Sequence, residues 1–521
     1  MFVSVDTLSA RHTSLYGYQR PTTPGLDRLA ESSVVFERCW ANAPWTTPSY
    51  MSQFTGLYAA AFRRPERGDE DESDWAFADA HRTLAELFRD AGYRTAGFVD
   101  NHNVGPHLGF DQGFEVYDDS AAHLSALEPH GGIDHVVPLA LAWLDGLESA
   151  EPFFLFVQVL DVHGPYVSAG SFAGTFGDAP TPVADRRVPV ALEHDSILGA
   201  IPLYVAEPVQ EDGAGELRVR PLLDAYDEGI RALDDALGRF LAELDARGVL
   251  DRALLVLSAD HGESLVEHES YFDHQLLHGE ELHVPLLLRP PGGTAPRRIE
   301  TDVQLVDLYP TLAALVGIEV RGELSGRSLL PALAGEPLPS TPSIAFADFG
   351  ACRSIALDGW KLVETNPSLE SMGPVGFLSA PRTRAWIAGR FPEFEGKVFG
   401  TQAMPPSMLD GVDADALFAE AKGELLGPFR ALYDLASDPG ELEDVSAAHP
   451  ERVRALLALL DEAGPGGTEP GSSPNSTANR ERGTQRRGAV LLGDEPGSVS
   501  SFACVRACSS SRCSAPVPAT R

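Results

Sequence analysis

The chain reads as an α/β protein built around a largely buried sheet, followed by a second, smaller module. Three observations lead there. Short apolar runs recur and each ends in a carboxylate: Phe2 to Val5 leads into Asp6, Phe153 to Leu160 into Asp161, and Leu254 to Leu257 into Ser258 and Asp260. Longer amphipathic segments alternate with these runs. The length of 521 residues also exceeds one core, since single cores stop growing at roughly 250–300 residues.

Taken in order, Phe2-Val3-Ser4-Val5 is an apolar strand that delivers Asp6 at its carboxyl end, where ligands collect in open α/β sheets. Pro48 suits the first turn of a helix beginning near Thr47, which puts Thr46 beside a positive helix end. The clearest helix carries Leu223, Tyr226, Ile230, Leu233, Leu237, Leu241 and Leu244 at spacings of three or four and stops at Gly248. It is scaffold. A Pro/Gly-rich stretch near 331–343 marks a boundary. From Gly464 the chain becomes Gly, Ser, Pro, Thr and Arg with few apolar residues, too few to offset the entropy of ordering. The expected organisation is therefore 1–340, 341–462 and a disordered tail, 463–521.

With 76 acidic against 40 basic residues the formal charge is -36, which excludes nucleic acid as an expected partner, because phosphate backbones demand Lys and Arg. Cys39 and Cys352 lie in the folded part and Cys504, Cys508 and Cys513 in the tail, a pattern without a disulfide framework or the paired spacing of zinc sites. No secretory leader precedes the first strand and no run of about 18 apolar residues would span a membrane. A cytoplasmic protein is expected from the chain as it stands, and a periplasmic or secreted one if a signal lies upstream.

Asp6, Asp260 and His261 are far apart in the chain, yet each sits at or just past a strand end, so the sheet can gather them at one edge. Any one carboxylate alone reads equally well as a helix cap or salt bridge. With Thr46 as a fourth ligand the set makes a hard-leaning oxygen and nitrogen site for Ca²⁺, Mg²⁺ or Mn²⁺, with Zn²⁺ admitted by the imidazole.

Asp6-Thr7-Leu8, Tyr16-Gly17-Tyr18, the run Thr23 to Ala30, Thr46-Thr47-Pro48-Ser49-Tyr50, Phe54-Thr55-Gly56-Leu57-Tyr58 and Asp260-His261-Gly262-Glu263 closely resemble the sulfatase family of the alkaline-phosphatase superfamily. Val306 to Leu312 and Gly326 to Leu330 extend the resemblance. Asp358 to Val363 and Leu432 to Leu435 look like its small carboxyl-terminal domain. Residues 367–425 match nothing in that pattern and are expected to shape the substrate entrance. The resemblance implies an alkaline-phosphatase-like mixed central sheet flanked by helices, with a small α+β carboxyl-terminal domain. It also implies a divalent metal, Ca²⁺ first, held by Asp6, Asp260 and His261, with the nucleophile at Thr46.

Four departures sharpen the expectation. Thr46 stands where the family oxidises Cys or Ser to formylglycine, and a threonine cannot yield that group. Thr7 replaces an acidic neighbour of Asp6, Tyr50 replaces an Arg, and Asp100, in Asp100-x-His102, replaces a Lys. The related phosphodiesterases and phosphoethanolamine transferases use a metal-activated Thr that becomes covalently phosphorylated, so Thr46 is expected to act likewise. His163, in His163-Gly164-Pro165-Tyr166, and His102 are expected on the ester oxygens. His274 stands near where the family places a Lys and is expected to protonate the leaving oxygen. The expected activity is hydrolysis of a sulfuric or phosphoric ester, on a small molecule or glycan. The alternatives are transfer to a sugar or lipid hydroxyl, which would call for membrane attachment, and a non-catalytic member that binds sulfated or phosphorylated ligands. Erosion at Ser9 and Arg11 favours the last; Asp260-His261-Gly262-Glu263 and His163 oppose it.

Overall fold

The computed structural model describes residues 1–62, 77, 81–122, 132–148, 151–166, 170–177, 186–190, 201–206, 216–268, 270–320, 322–347, 352–365 and 429–463. All of them fall in one compact unit, Met1–Gly467. The expectations for 367–425 and for the tail lie outside the described residues.

The main sheet has strands β1 (Phe2–Val5), β2 (Val34–Phe36), β3 (Arg94–Val99), β4 (Val116–Asp118), β5 (Phe153–Val159), β6 (Leu255–Ala259), β7 (Leu286–Arg289) and β8 (Arg297–Ile299), in the spatial order β8-β2-β7-β6-β1-β5-β3-β4. β1 runs parallel to β5 and β6, while β7 is antiparallel to β6 and β2, which makes the sheet mixed. β1 and β6 are buried along their whole length, as their near-continuous apolar sequences require. Register sets which carboxylates meet. Val5 is level with Val159 of β5 and Ala259 of β6, so Asp6 and Asp260 step off the same edge side by side. Val99 of β3 is level with Gln158, which brings Asp100 and Asn101 to that edge as well.

Helices cover the sheet: α1 (Pro24–Ala30), α2 (Thr46–Thr55), α3 (Leu84–Asp90), α4 (Gly132–Asp145), α5 (Val219–Ala246) and α6 (Leu308–Leu315). The long scaffold helix is α5, which buries Leu223, Tyr226, Ile230, Leu233, Leu237 and Leu244 and ends just before Gly248, whose φ of +64° suits glycine. α2 has all ten of its residues buried, so it enters the core rather than lying on it. It stops at Gly56, where φ is +73° and an added Cβ would meet Tyr309 at 3.0 Å.

A second, antiparallel sheet follows, in the order β9 (Ser343–Ala347), β10 (Cys352–Leu357), β11 (Trp360–Thr365) and β12 (Phe429–Asp434). β9 begins where the Pro/Gly-rich stretch ends. Leu456 and Leu460 of α7 (Pro450–Ala463) join Ile355, Leu362 and Leu432 in a separate small core. Among the described residues no helix is long and apolar enough to cross a membrane.

Candidate active site

Asp6 leaves β1 with its amide still bonded to Val159 O at 2.9 Å, so its side chain is fixed at the sheet edge. Its Oδ2 accepts from Asn101 Nδ2 at 2.6 Å and from Gln158 Nε2 at 3.2 Å. Its Oδ1 is buried and has no hydrogen-bond partner. Asp260 is arranged alike: Oδ1 accepts the amides of His261 at 2.9 Å and Thr7 at 3.3 Å, and Oδ2 has none. His261 Nδ1 faces Gly262 O at 2.9 Å and must donate to it, which leaves Nε2 with a lone pair. That lone pair stands 3.5 Å from Asp260 Oδ2, 3.8 Å from Asp6 Oδ1 and 3.4 Å from Thr46 Oγ1.

Burial raises the Asp260 carboxyl well above its usual range and the nearby Asp6 charge raises it further. Burial likewise raises Asp6, against the pull of His163 and the Asn101 hydrogen bond. His261 is held neutral by burial and by His274. Two acidic side chains and one neutral imidazole thus face each other with ligand atoms within 4.8 Å, and the cationic groups that offset Asp6 are histidines rather than Lys or Arg among the described residues. Unpartnered buried polar atoms cost about 1–3 kcal/mol each, and a cation relieves several at once. The donor set, mostly hard oxygen with one imidazole, fits a divalent ion.

Thr46 opens α2 directly after Trp45, whose extended backbone turns the chain into the helix. One turn in, Ser49 Oγ donates to Asp260 O at 2.6 Å, tying the helix to the end of β6. Tyr50 is wholly buried, with its ring edge-on to Phe156 at 5.7 Å and its hydroxyl donating to Ser4 Oγ at 2.8 Å. The position expected to carry a cation therefore holds a neutral, fully buried phenol, with Asp260 and Asp6 as its nearest influential charges. Among the described residues no Lys or Arg forms an ion pair with Asp6, Asp260 or Glu263; their charged partners are histidines.

His274 packs at a tilt against His261, with ring centroids 4.6 Å apart, and His163 lies edge-on 5.5 Å from His274. His163 Nδ1 donates to Gly164 O at 2.6 Å, which leaves Nε2 as the ring nitrogen not engaged by that bond. Glu263 joins the two segments: Oε2 accepts from Tyr166 OH at 2.6 Å, and Oε1 lies 3.0 Å from His274 Nδ1. Burial pushes the His274 pKa down, but Glu263, with Asp273 and Asp6, outweighs it and sets it at about 10. His102 stands apart, exposed and stacked on His107 at 4.1 Å, while its neighbour Asn101 takes the inward place. Asp161 caps the start of α4 through the Ile133 amide at 2.9 Å. Asn101, Gln158, Glu263 and Tyr166 are additional to the residues read from the sequence. Gln158 carried a signal, as a lone amide in the apolar run of β5.

The mixed sheet gathers its acidic and imidazole donors at the carboxyl ends of its strands, where α/β proteins bind their ligands. The family model described as Sulfatase matches residues 1–318, and the chain belongs to the sulfatase family of the alkaline-phosphatase superfamily, hydrolases of sulfuric and phosphoric esters that generally use a divalent metal. It is similar to an N-acetylglucosamine-6-O-sulfatase of Bacteroides thetaiotaomicron, 24% identical over 64% of this chain and 71% of that one. It is also similar to arylsulfatase K of Xenopus laevis, 26% identical over 88% of this chain and 80% of that one. In fold it matches the phosphonate monoester hydrolase of Agrobacterium radiobacter, with a TM-score of 0.61, 19% identity and coverage of 89% of this chain and 95% of that one.

Proposed function

We propose that the protein hydrolyses a sulfuric or phosphoric ester with Thr46 as the nucleophile, in a reaction dependent on a divalent cation. One observation supports this most: Thr46 Oγ1, at the start of α2, stands 3.4 Å from His261 Nε2 and 3.5 Å from Asp6 Oδ2, among the unpartnered donor atoms. Asp6, Asp260, His261 and Thr46 would hold the cation, with Ca²⁺ the family's first choice and Mg²⁺, Mn²⁺ and Zn²⁺ compatible with the donors. Bound there, it neutralises ester oxygens and lowers the pKa of the Thr46 hydroxyl.

Thr46 Oγ1 attacks the phosphorus or sulfur, and its proton passes to Asp6 Oδ2. As the new bond forms, the bond to the leaving oxygen breaks, and His274 Nε2 gives that oxygen its proton. Glu263, on the Nδ1 side of the ring, keeps His274 protonated until then. His163 supports the ester oxygens. Water then attacks the Thr46 adduct and gives a proton to His274, the bond to Thr46 Oγ1 breaks as Asp6 Oδ2 returns its proton to that oxygen, and sulfate or phosphate is freed. His102, exposed on its own ring stack, has no part in these steps. The named activities of the relatives frame the substrate as a glycan sulfate or a phosphonate or phosphate ester.

Turnover by the purified protein tests this, with Ca²⁺, Mg²⁺, Mn²⁺ or Zn²⁺ added in turn to aryl sulfate, phosphate monoester, phosphodiester and phosphonate substrates. The expected result is metal-dependent cleavage of at least one ester that disappears in Thr46→Ala. Full activity in Thr46→Ala, or in chelator, contradicts the scheme.

A further inference from the structure

The chain from Glu263 to Gly279 carries His274 and is closed on itself. The Gly262 amide donates to Glu281 O at 2.6 Å, Ser264 and Asp273 exchange backbone hydrogen bonds of 2.9 and 3.0 Å, and Ser264 Oγ donates to Glu281 Oε1 at 2.6 Å. His268, inside the loop that Ser264 and Asp273 close, stacks face to face on His278, beyond it, with ring centroids 3.7 Å apart. Each ring meets a different buried carboxylate. Glu280 Oε1 lies 3.1 Å from His268 Nε2, and Glu441 Oε2, in the chain after β12, lies 3.1 Å from His278 Nδ1. Arg11, in the turn Ala10–His12 that follows Asp6, joins those two carboxylates. Its Nη1 pairs with Glu280 at 3.2 Å, and its Nη2 lies 3.6 Å from Glu441 and donates to Pro439 O at 2.7 Å. Among the described residues Arg11 is the one Arg or Lys paired with Glu280, whereas Glu441 also has Lys361. The guanidinium fits because residue 279 is glycine: an added Cβ there would clash with Arg11 Nη2 and stand 2.7 Å from Glu441 Oε1.

A buried carboxylate is costly unless a partner neutralises it, and the planar fork of an arginine can serve two at once. We infer that Arg11 is a positioning residue for His274: by clasping Glu280 and Glu441 together it fixes the stacked pair of His268 and His278, and with them the chain on both sides of His274. Three segments thereby set that ring: the turn after Asp6, the helical turn Gly279–Leu282 and the carboxyl-terminal sheet unit. Arg11, which the sequence reads as erosion of the opening run, thus has a use in the geometry of the site. The inference rests on His274 acting as the acid, and its test separates the two.

The full chain, with Mn²⁺ or Ca²⁺ added, is assayed for kcat/KM on a nitrophenyl ester, whose leaving oxygen departs without a proton, and on the matching alkyl ester, whose leaving oxygen needs one. His274→Gln sets the scale, since loss of the acid must lower the alkyl rate far more than the nitrophenyl rate. Arg11→Met should lower the alkyl-to-nitrophenyl ratio by about tenfold or more, because small misplacements of a reacting group are costly. Arg11→Lys keeps a charge for Glu280 but cannot clasp both carboxylates, so its ratio should fall to a lesser degree, and it keeps the test alive if Arg11→Met folds poorly. Gly279→Ala crowds the guanidinium from the other side, and its effect should shrink when it is added to Arg11→Met, as at coupled sites. A merely weakened fold lowers both rates together, so equal proportional loss on the two esters in the Arg11 variants, or no loss, overturns the positioning role alone. An unchanged ratio in His274→Gln, or no turnover of either ester by the wild type, overturns the acid reading and this inference with it.

Discussion

Glu263 Oε1 lies 3.0 Å from His274 Nδ1, and the other oxygen of the same carboxylate accepts the Tyr166 hydroxyl. A single buried side chain thus fixes the ring proposed as the acid to the segment that carries His163. Burial would strip the proton from His274; the carboxylate reverses that and sets the pKa at about 10.

Glu263→Gln removes the charge and keeps the shape. The burial that lowers the His274 pKa then meets less opposition, so the pKa falls and the acid form is lost at lower pH. The basic limb of the kcat/KM profile should move toward acid, with the largest loss of activity on the alkaline side. An unmoved basic limb in the pH profile would detach Glu263 from the chemistry.

Asn101 and Gln158 hold Asp6 Oδ2, and Gln158 is itself oriented by accepting the Asp100 amide at 3.3 Å. Asn101→Ala should lower metal affinity by about tenfold, in the range for residues that orient a ligand. His102→Ala, one residue along, should change it far less. Calorimetric titration of the two variants decides which neighbour supports the site.

Tyr50→Arg would force a longer, charged side chain into the fully buried place against Phe156, so restoring the family's usual cation by this single change should cost about 3 kcal/mol or more of stability. Tyr50→Phe loses only the bond to Ser4, a cost of about 1 kcal/mol. Denaturant unfolding of both variants checks the order.

Glu441 pairs with the fully buried Lys361 at 2.9 Å and with His278 at 3.1 Å. Burial pushes the Glu441 carboxyl up, but Lys361, His278 and Arg11 pull it well below its usual range. The folded pKa is depressed, so the stability it contributes is present above the ordinary value of 4.5 and is lost as pH falls below it. Glu441→Gln should therefore cost about 3 kcal/mol near neutral pH, and its Tm deficit against wild type should shrink in acid. A deficit independent of pH would contradict this.

Much of the frame was legible because it rests on periodicity. The runs ending in Asp6 and Asp260 had to be neighbouring buried strands for their carboxylates to meet, and the scaffold helix declared itself through Leu223 to Leu244. The orientation of side chains was not legible. Asn101 faces inward and His102 outward because of one step of register at the end of β3, which composition does not reveal. Tyr50 reads in the sequence as a lost cation, but not as the buried ring that packs on Phe156 and donates to Ser4. The left-handed backbone of Thr7, with φ of +53°, is invisible in sequence, since nothing in Asp-Thr-Leu announces it.

The most direct test of Thr46 is its covalent adduct. Wild-type protein with metal is mixed with excess turned-over ester, quenched in acid during turnover and digested, and the peptide containing Thr46 is analysed by mass spectrometry. A gain of one phosphoryl or sulfo group localised to Thr46, absent from Thr46→Ala, is the predicted result. Steady turnover with the adduct on another residue would contradict the account.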